Sequence, residues 1–198
     1  MRISLLILLI VISCKFEPST ISSSNNFTLP DYDQISELQS ATDQELVAKF
    51  EELKSRLLSR LRNALKEGGP EHAIGVCRIA SPEIEKSLSN GAQILRVSDR
   101  PRNPDHRATP VESMVLDLWV ARLKENKLIG PVAFDSPEGR IVMSPIQIAG
   151  QMCLQCHGAP DQLNSGVKQA LAKEYPNDEA TGYSLNELRG AVVARLPN

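Results

Sequence analysis

The chain has 198 residues, of which 41% are hydrophobic and 23% charged, with 22 Lys+Arg against 24 Asp+Glu and a formal net charge of −2. That length fits one domain with enough apolar material to close a core. The balanced charge excludes a nucleic-acid binder that works by bulk electrostatics, and the composition excludes a disordered polyelectrolyte. Aromatic residues make up only 4%, which leaves the interior to aliphatic side chains and leaves room for a non-protein group.

Met1-Arg2 opens the chain with a positive charge, and residues 3–12 are apolar apart from Ser4. About ten apolar residues are too few to span a bilayer, which takes roughly 20, but they suit the apolar segment of a secretory leader. Val11-Ile12-Ser13-Cys14 then resembles the lipobox of bacterial lipoproteins. The resemblance implies a signal peptide over residues 1–13 and a lipid on the sulfur of Cys14. The mature domain would then stand outside the cytoplasm, on the periplasmic side, held to a membrane by that lipid. Residues 14–41 are rich in Ser and Asn, carry Pro18 and Pro30, and show no apolar periodicity; they are expected to form a flexible tether.

The domain proper is expected over residues 42–198. Thr42-Asp43-Gln44-Glu45 has the form of a capping box, and Leu46, Phe50, Leu53, Leu57 and Leu61 follow at helical spacing until Gly68-Gly69 ends the helix. Pro70 suits the first turn of a second helix through Ala80, and Ser81-Pro82 is expected to start a further short turn to about Leu88. Residues 93–98 have strand character and 100–104 form a loop. Thr109-Pro110-Val111-Glu112 is a second capping box, opening a helix to about Lys124. Residues 132–134 and 140–146 flank Ser136-Pro137-Glu138-Gly139 as a hairpin with a four- or five-residue loop, and residues 191–196 supply a last strand. Helices clustered before a mostly antiparallel sheet define an α+β fold.

Cys153-Leu154-Gln155-Cys156-His157 is the attachment motif of c-type haem. Two thiols three positions apart on one turn can each add across a vinyl group of one porphyrin, and the adjacent His157 can then reach the iron. A zinc site would need four ligands, and no second Cys/His pair lies at suitable spacing. A thioredoxin-like pair needs a strand–CxxC–helix setting, which Gly158-Ala159-Pro160-Asp161 does not supply.

With Cys14 assigned to lipid and Cys153 and Cys156 to haem c, one of the 4 cysteines remains, Cys77. It sits in the apolar helical stretch Ala73-Ile74-Gly75-Val76-Cys77, whose small residues would let a flat group approach. Two readings stay open on the residues alone: a second axial ligand, or a buried cysteine of the ordinary kind. His72 lies on a different helix face from Cys77, and His106 is expected to be solvated in a polar loop. Met114 and Met143 fit core positions, Met152 abuts the motif too closely to reach its opposite side, and Tyr183 and Trp119 are expected in the core. Arg96, Arg100 and Arg102 are candidates for the haem propionates through bidentate guanidinium hydrogen bonds.

Three blocks together resemble a known bacterial family, the c-type haem proteins with a PAS-like fold. They are Ala73–Cys77 with Ala80-Ser81-Pro82, then Arg96–Pro104 with Glu112, then Cys153–Gly158 with Gly182-Tyr183-Ser184 and Leu188-Arg189-Gly190-Ala191. The resemblance covers about residues 43–197. It implies a five-stranded antiparallel PAS-like sheet with flanking helices, and an axial pair of His157 and Cys77. Asp105-His106-Arg107 departs from the family pattern, which is usually richer there in Asn and Pro.

The functional expectation is a membrane-tethered extracytoplasmic protein with one haem c, transferring single electrons at low potential to a redox partner protein and not acting as an enzyme. The alternative expectation is a haem-based sensor in which redox change, CO or NO displaces Cys77.

Overall fold

A computed structural model describes residues 27–197; the expected leader, Cys14 and the first part of the expected tether lie outside the described residues. Packing starts well before residue 42. In α1 (Tyr32–Ser36) the Ile35 side chain is buried, and Phe27 stacks on Phe134 with ring centroids 6.1 Å apart. The Tyr32 hydroxyl accepts a hydrogen bond from the Gly130 amide at 2.8 Å, and the Arg122 guanidinium lies 3.5 Å from its ring centroid. The segment 27–36 is therefore part of the domain, held by separate apolar anchors that carry no periodic signal.

α2 (Ala41–Leu88) begins one cap earlier than the sequence suggests. Ser40 rather than Thr42 is the cap, its hydroxyl accepting from the Asp43 amide at 3.0 Å. The Asp43 carboxylate turns instead to Arg140, 2.7 Å away. The expected break falls at Gly68 and Gly69, where Gly69 has φ 72 and ψ −172, a conformation that only glycine adopts without strain. Pro70 then restarts the helix, which runs on to Leu88 with no interruption at Ser81-Pro82. Burial of Ala80, Ser81, Ile84 and Glu85 carries the helix across the proline.

Four strands form one antiparallel sheet in the order β1 (Gln93–Val97), β4 (Leu188–Leu196), β3 (Gly139–Gln147) and β2 (Val132–Ser136). The fold is α+β, as expected, with four strands where the resemblance implied five. Pro101 and Pro104 lack amide donors, and the segment after β1 makes a single isolated bridge, Ser98 to Arg107. The β2–β3 connection is also tighter than expected. Only Pro137 and Glu138 separate the paired Ser136 and Gly139, whose turn is tied by the Ser136 hydroxyl donating to the Gly139 carbonyl at 2.8 Å.

The sheet is covered on both faces. Val192 and Ala194 of β4 join Leu46, Phe50, Leu53, Ile84 and Leu88 of α2 on one side. Ala191 and Val193 join Val115, Leu116 and Trp119 of α3 (Pro110–Lys124), with Ile35, on the other. The alternation of successive side chains across a strand explains both sets, and burial on both faces explains the continuous apolar run of β4. The expected capping box of α3 is formed: Thr109 N donates to Glu112 at 2.8 Å and Glu112 N to Thr109 at 3.4 Å. α4 (Gln151–His157) and α5 (Ser165–Glu174) fill the stretch between β3 and β4. α5 packs on the second half of α2 through Val167 and Leu171 against Ile74. No helix among the described residues is long and apolar enough to cross a membrane.

Candidate functional site

Beyond the Gly68-Gly69 break, α2 faces α4 across a cavity of about 690 Å³, within the usual range for a cofactor site. Cys77, Cys153, Cys156, His157 and Met152 all line it. Ala73, Ile74, Cys77, Arg78 and Ser81 form the α2 wall at helical spacing, whereas Gly75 points elsewhere. Leu53, Leu57, Leu61, Val97 and Ile148 make much of the rest apolar. Cys77, Cys153 and Cys156 are free thiols. Burial pushes the Cys77 thiol up, against the opposing pull of Arg96 and Arg102. It pushes Cys156 up as well, with Arg102 opposing and the nearby Cys77 adding to the rise. No group of three or more His, Cys, Asp or Glu side chains disposed to hold a metal ion is found among the described residues.

His157 ends α4, and its orientation is fixed from behind. Its Nδ1 lies 2.7 Å from the Ala180 carbonyl, which can only accept, so Nδ1 carries the proton and Nε2 keeps a lone pair. The Tyr183 amide donates to the His157 carbonyl at 2.9 Å, and the Tyr183 ring stands edge-on to the imidazole at 6.2 Å. Burial holds the imidazole well below its ordinary pKa, helped by the positive charges of Arg102 and Arg189. A neutral, oriented imidazole with a free nitrogen is the form a metal ligand takes.

The three arginines expected at the cavity have separate roles. Arg102 lines it, yet its Nε is 3.2 Å from both Asp178 oxygens and its Nη2 donates to the Cys156 carbonyl at 2.6 Å. Asp178 also accepts from the Ala180 amide at 2.8 Å, so Arg102 and Asp178 hold the carbonyl that orients His157. Arg96 lines the cavity but is engaged by Glu85 at 3.0 Å and by the Ser81 hydroxyl. Arg100 lies outside it, donating to the Thr181 carbonyl and covering the Tyr183 ring at 4.2 Å.

His106 corrects the expectation of a solvated loop residue. The 3-10 turn Pro104–His106 folds back on α2, leaving the His106 side chain 15% exposed with its Nε2 3.2 Å from Glu85. His72 stays exposed beside Glu67, Met143 and Trp119 are core residues, and Met114 lies on α3 away from the cavity. Tyr183, expected as plain core, is packed against Ile148 and Ala180 but is also the neighbour of His157. Asp178, Glu85 and Arg189 are site residues that sequence reasoning missed. Arg189 alone left a signal, as part of the block Leu188-Arg189-Gly190-Ala191.

The sheet and its cavity define a PAS-like α+β domain with a CxxCH helix facing a cofactor-sized space. The chain belongs to the Tll0287-like family, whose model matches residues 32–197. Among solved structures it is similar to that of the cyanobacterial heme-protein Tll0287, with a TM-score of 0.61 and 23% sequence identity over 78% of this chain and 94% of that one. No curated protein matches the chain.

Proposed function

We propose that the protein binds one haem c in the cavity between α2 and α4 and serves as an extracytoplasmic, lipid-anchored electron carrier. One observation carries the reading: Cys77, Cys153, Cys156 and His157 line a single cavity, with His157 presenting an unprotonated nitrogen. The donor set fits the group. Cys153 and Cys156, one helical turn apart on α4, would hold it covalently, while His157 and Cys77, from opposite walls, would supply donor atoms to its iron. The similar cyanobacterial protein is a heme-protein, which supports the same cofactor.

When bound, the haem supplies one-electron ferric–ferrous chemistry, the electron being donated and taken up by a redox partner protein. A thiolate opposite histidine is an anionic donor that favours the ferric state and a low potential. With His157 and Cys77 both given to the group, no protein-free position would remain on it for a substrate, which supports a carrier rather than an enzyme. Cys14 would carry the lipid that holds the domain to a membrane.

A sensor is the second reading. It is favoured by the helix break at Gly68-Gly69, which interrupts α2 eight residues before Cys77, between two halves that both pack on the sheet. Loss of Cys77 from the iron would then have a hinge at which to act. The test is the intact mass and electronic spectrum of the exported protein, oxidised and reduced, with and without CO. One covalent haem and a reduced spectrum unmoved by CO support the carrier; a CO adduct supports the sensor. A colourless protein at polypeptide mass refutes both.

A further inference from the structure

The cations around the cavity divide unevenly. Lys54 is 2.8 Å from Glu51, Arg78 is 2.9 Å from Glu174, Arg96 is 3.0 Å from Glu85 and Arg102 is 3.2 Å from Asp178. Arg189, which also lines the cavity, has no carboxylate within ion-pair distance among the described residues. Its Nη1 donates to the Ser98 hydroxyl at 3.0 Å and the Arg100 carbonyl at 3.2 Å, both uncharged acceptors. Its Nε is shut off from solvent and has no hydrogen-bond partner. Burial, with Arg102 and Arg96 close by, pushes the guanidinium down to about 10, so it remains charged at neutral pH.

The position is firmly built. Arg189 opens β4 beside Gly190, where φ is 153 and an added Cβ would come within 2.3 Å of the Val97 carbonyl oxygen. The β1–β4 approach thus fixes the backbone from which Arg189 departs, and the Tyr183 ring lies 5.5 Å from its guanidinium carbon. Arg189 is partly buried, and a partly buried cation without a counter-charge is costly. A cavity with apolar walls and one such cation calls for a ligand that is apolar over most of its surface and anionic at one edge.

We infer that Arg189 provides the counter-charge for the carboxylate edge of the cavity's ligand, a haem propionate in the reading proposed above, on which this assignment rests. Arg96 and Arg102 are committed to their own carboxylates and Arg100 lies outside the cavity. Arg189, which lines the cavity and also the pocket that holds Arg100, is the cavity arginine without a carboxylate partner among the described residues.

The experiment titrates the full chain, produced without haem attachment, with two metal-free probes: protoporphyrin IX and its dimethyl ester. Without metal, Cys77 and His157 coordinate neither probe, so porphyrin fluorescence reports the carboxylates alone. The unmodified chain is expected to bind the free acid roughly tenfold more tightly than the ester, the scale of one charge-assisted hydrogen bond. Arg189→Gln should bind the two equally, and Arg189→Lys should recover part of the preference. Equal binding of both probes by the unmodified chain overturns the Arg189 assignment and leaves the haem reading standing, and this arm needs no variant to fold. A preference undiminished in Arg189→Gln overturns it also. Binding of neither probe overturns the Arg189 assignment alone, since the thioether and iron bonds of the haem reading are missing from both probes.

Discussion

The two walls of the cavity are held by different physics. On the α4 wall, backbone carbonyls do the positioning: Ala180 orients His157, and the Cys156 carbonyl takes Arg102. On the α2 wall a cluster of side chains does it, with Glu85 receiving Ser81, Arg96 and His106 from three separate segments. Carbonyls belong to the chain whatever its side chains, so the first wall depends on where the backbone at residues 156 and 180 lies, with Arg102 and Asp178 holding it there. The second depends on charges meeting across the fold, and loses its order when one is removed. The difference teaches that covalent attachment and distal ligation should be separable by mutation.

The largest effect expected is the replacement of Cys153 and Cys156 together by Ala. Haem should then be wholly extractable by acidified organic solvent, whereas Cys77→Ala should retain it covalently; release from both variants would erase the distinction between the walls. Next comes Glu85→Ala, which strands Arg96 and His106 beside the cavity. Glu85 is buried but Arg96 is 36% exposed, so the loss should be about 1–3 kcal/mol, to be read from urea unfolding against Ser87→Ala, whose hydroxyl bonds Arg56 on the exposed side of the helix. Gly190→Ala places a Cβ against the Val97 carbonyl at a backbone angle of φ 153. It should cost about 1–3 kcal/mol, seen as a lower Tm in either redox state.

Acid sharpens the comparison further. Burial alone would raise Glu85 and Asp43, but their partners overcome it and hold both below their ordinary values of 4.5 and 3.8, His106 and Arg96 in the first case and Arg140 and Ser40 in the second. A depressed carboxylate contributes stability that is whole above its unfolded pKa and is lost as pH falls through its folded one. Stability should therefore drop as pH falls below about 4.5, and Asp43→Asn should flatten part of that slope. An acid slope unchanged by Asp43→Asn would contradict the pairing with Arg140. The smallest effect belongs to Arg78→Ala: the Arg78 side chain is 55% exposed in its pair with Glu174, and such pairs are worth about 0–1 kcal/mol.

What the sequence made legible follows the same divide. CxxCH is contiguous and needs only one turn of helix to act, and Gly68-Gly69 and the Thr109 capping box are likewise complete within a few residues. Ser40 was missed because Thr42 offered an equally good local pattern. The start of the domain was missed because Phe27, Tyr32 and Ile35 anchor it without any repeat. The arginine roles were out of reach, since each is decided by a partner far along the chain. Arg102 meets Asp178, Arg96 meets Glu85, and Arg189 is distinguished only by the carboxylate it lacks.

The most direct test of the account is low-temperature electron paramagnetic resonance of the ferric exported protein beside its Cys77→Ala variant. The account predicts a low-spin signal of histidine–thiolate type, with compressed g anisotropy, that disappears on removing Cys77 while the covalent haem stays. An identical signal from the two proteins would contradict the claim that α2 and α4 together close one haem site.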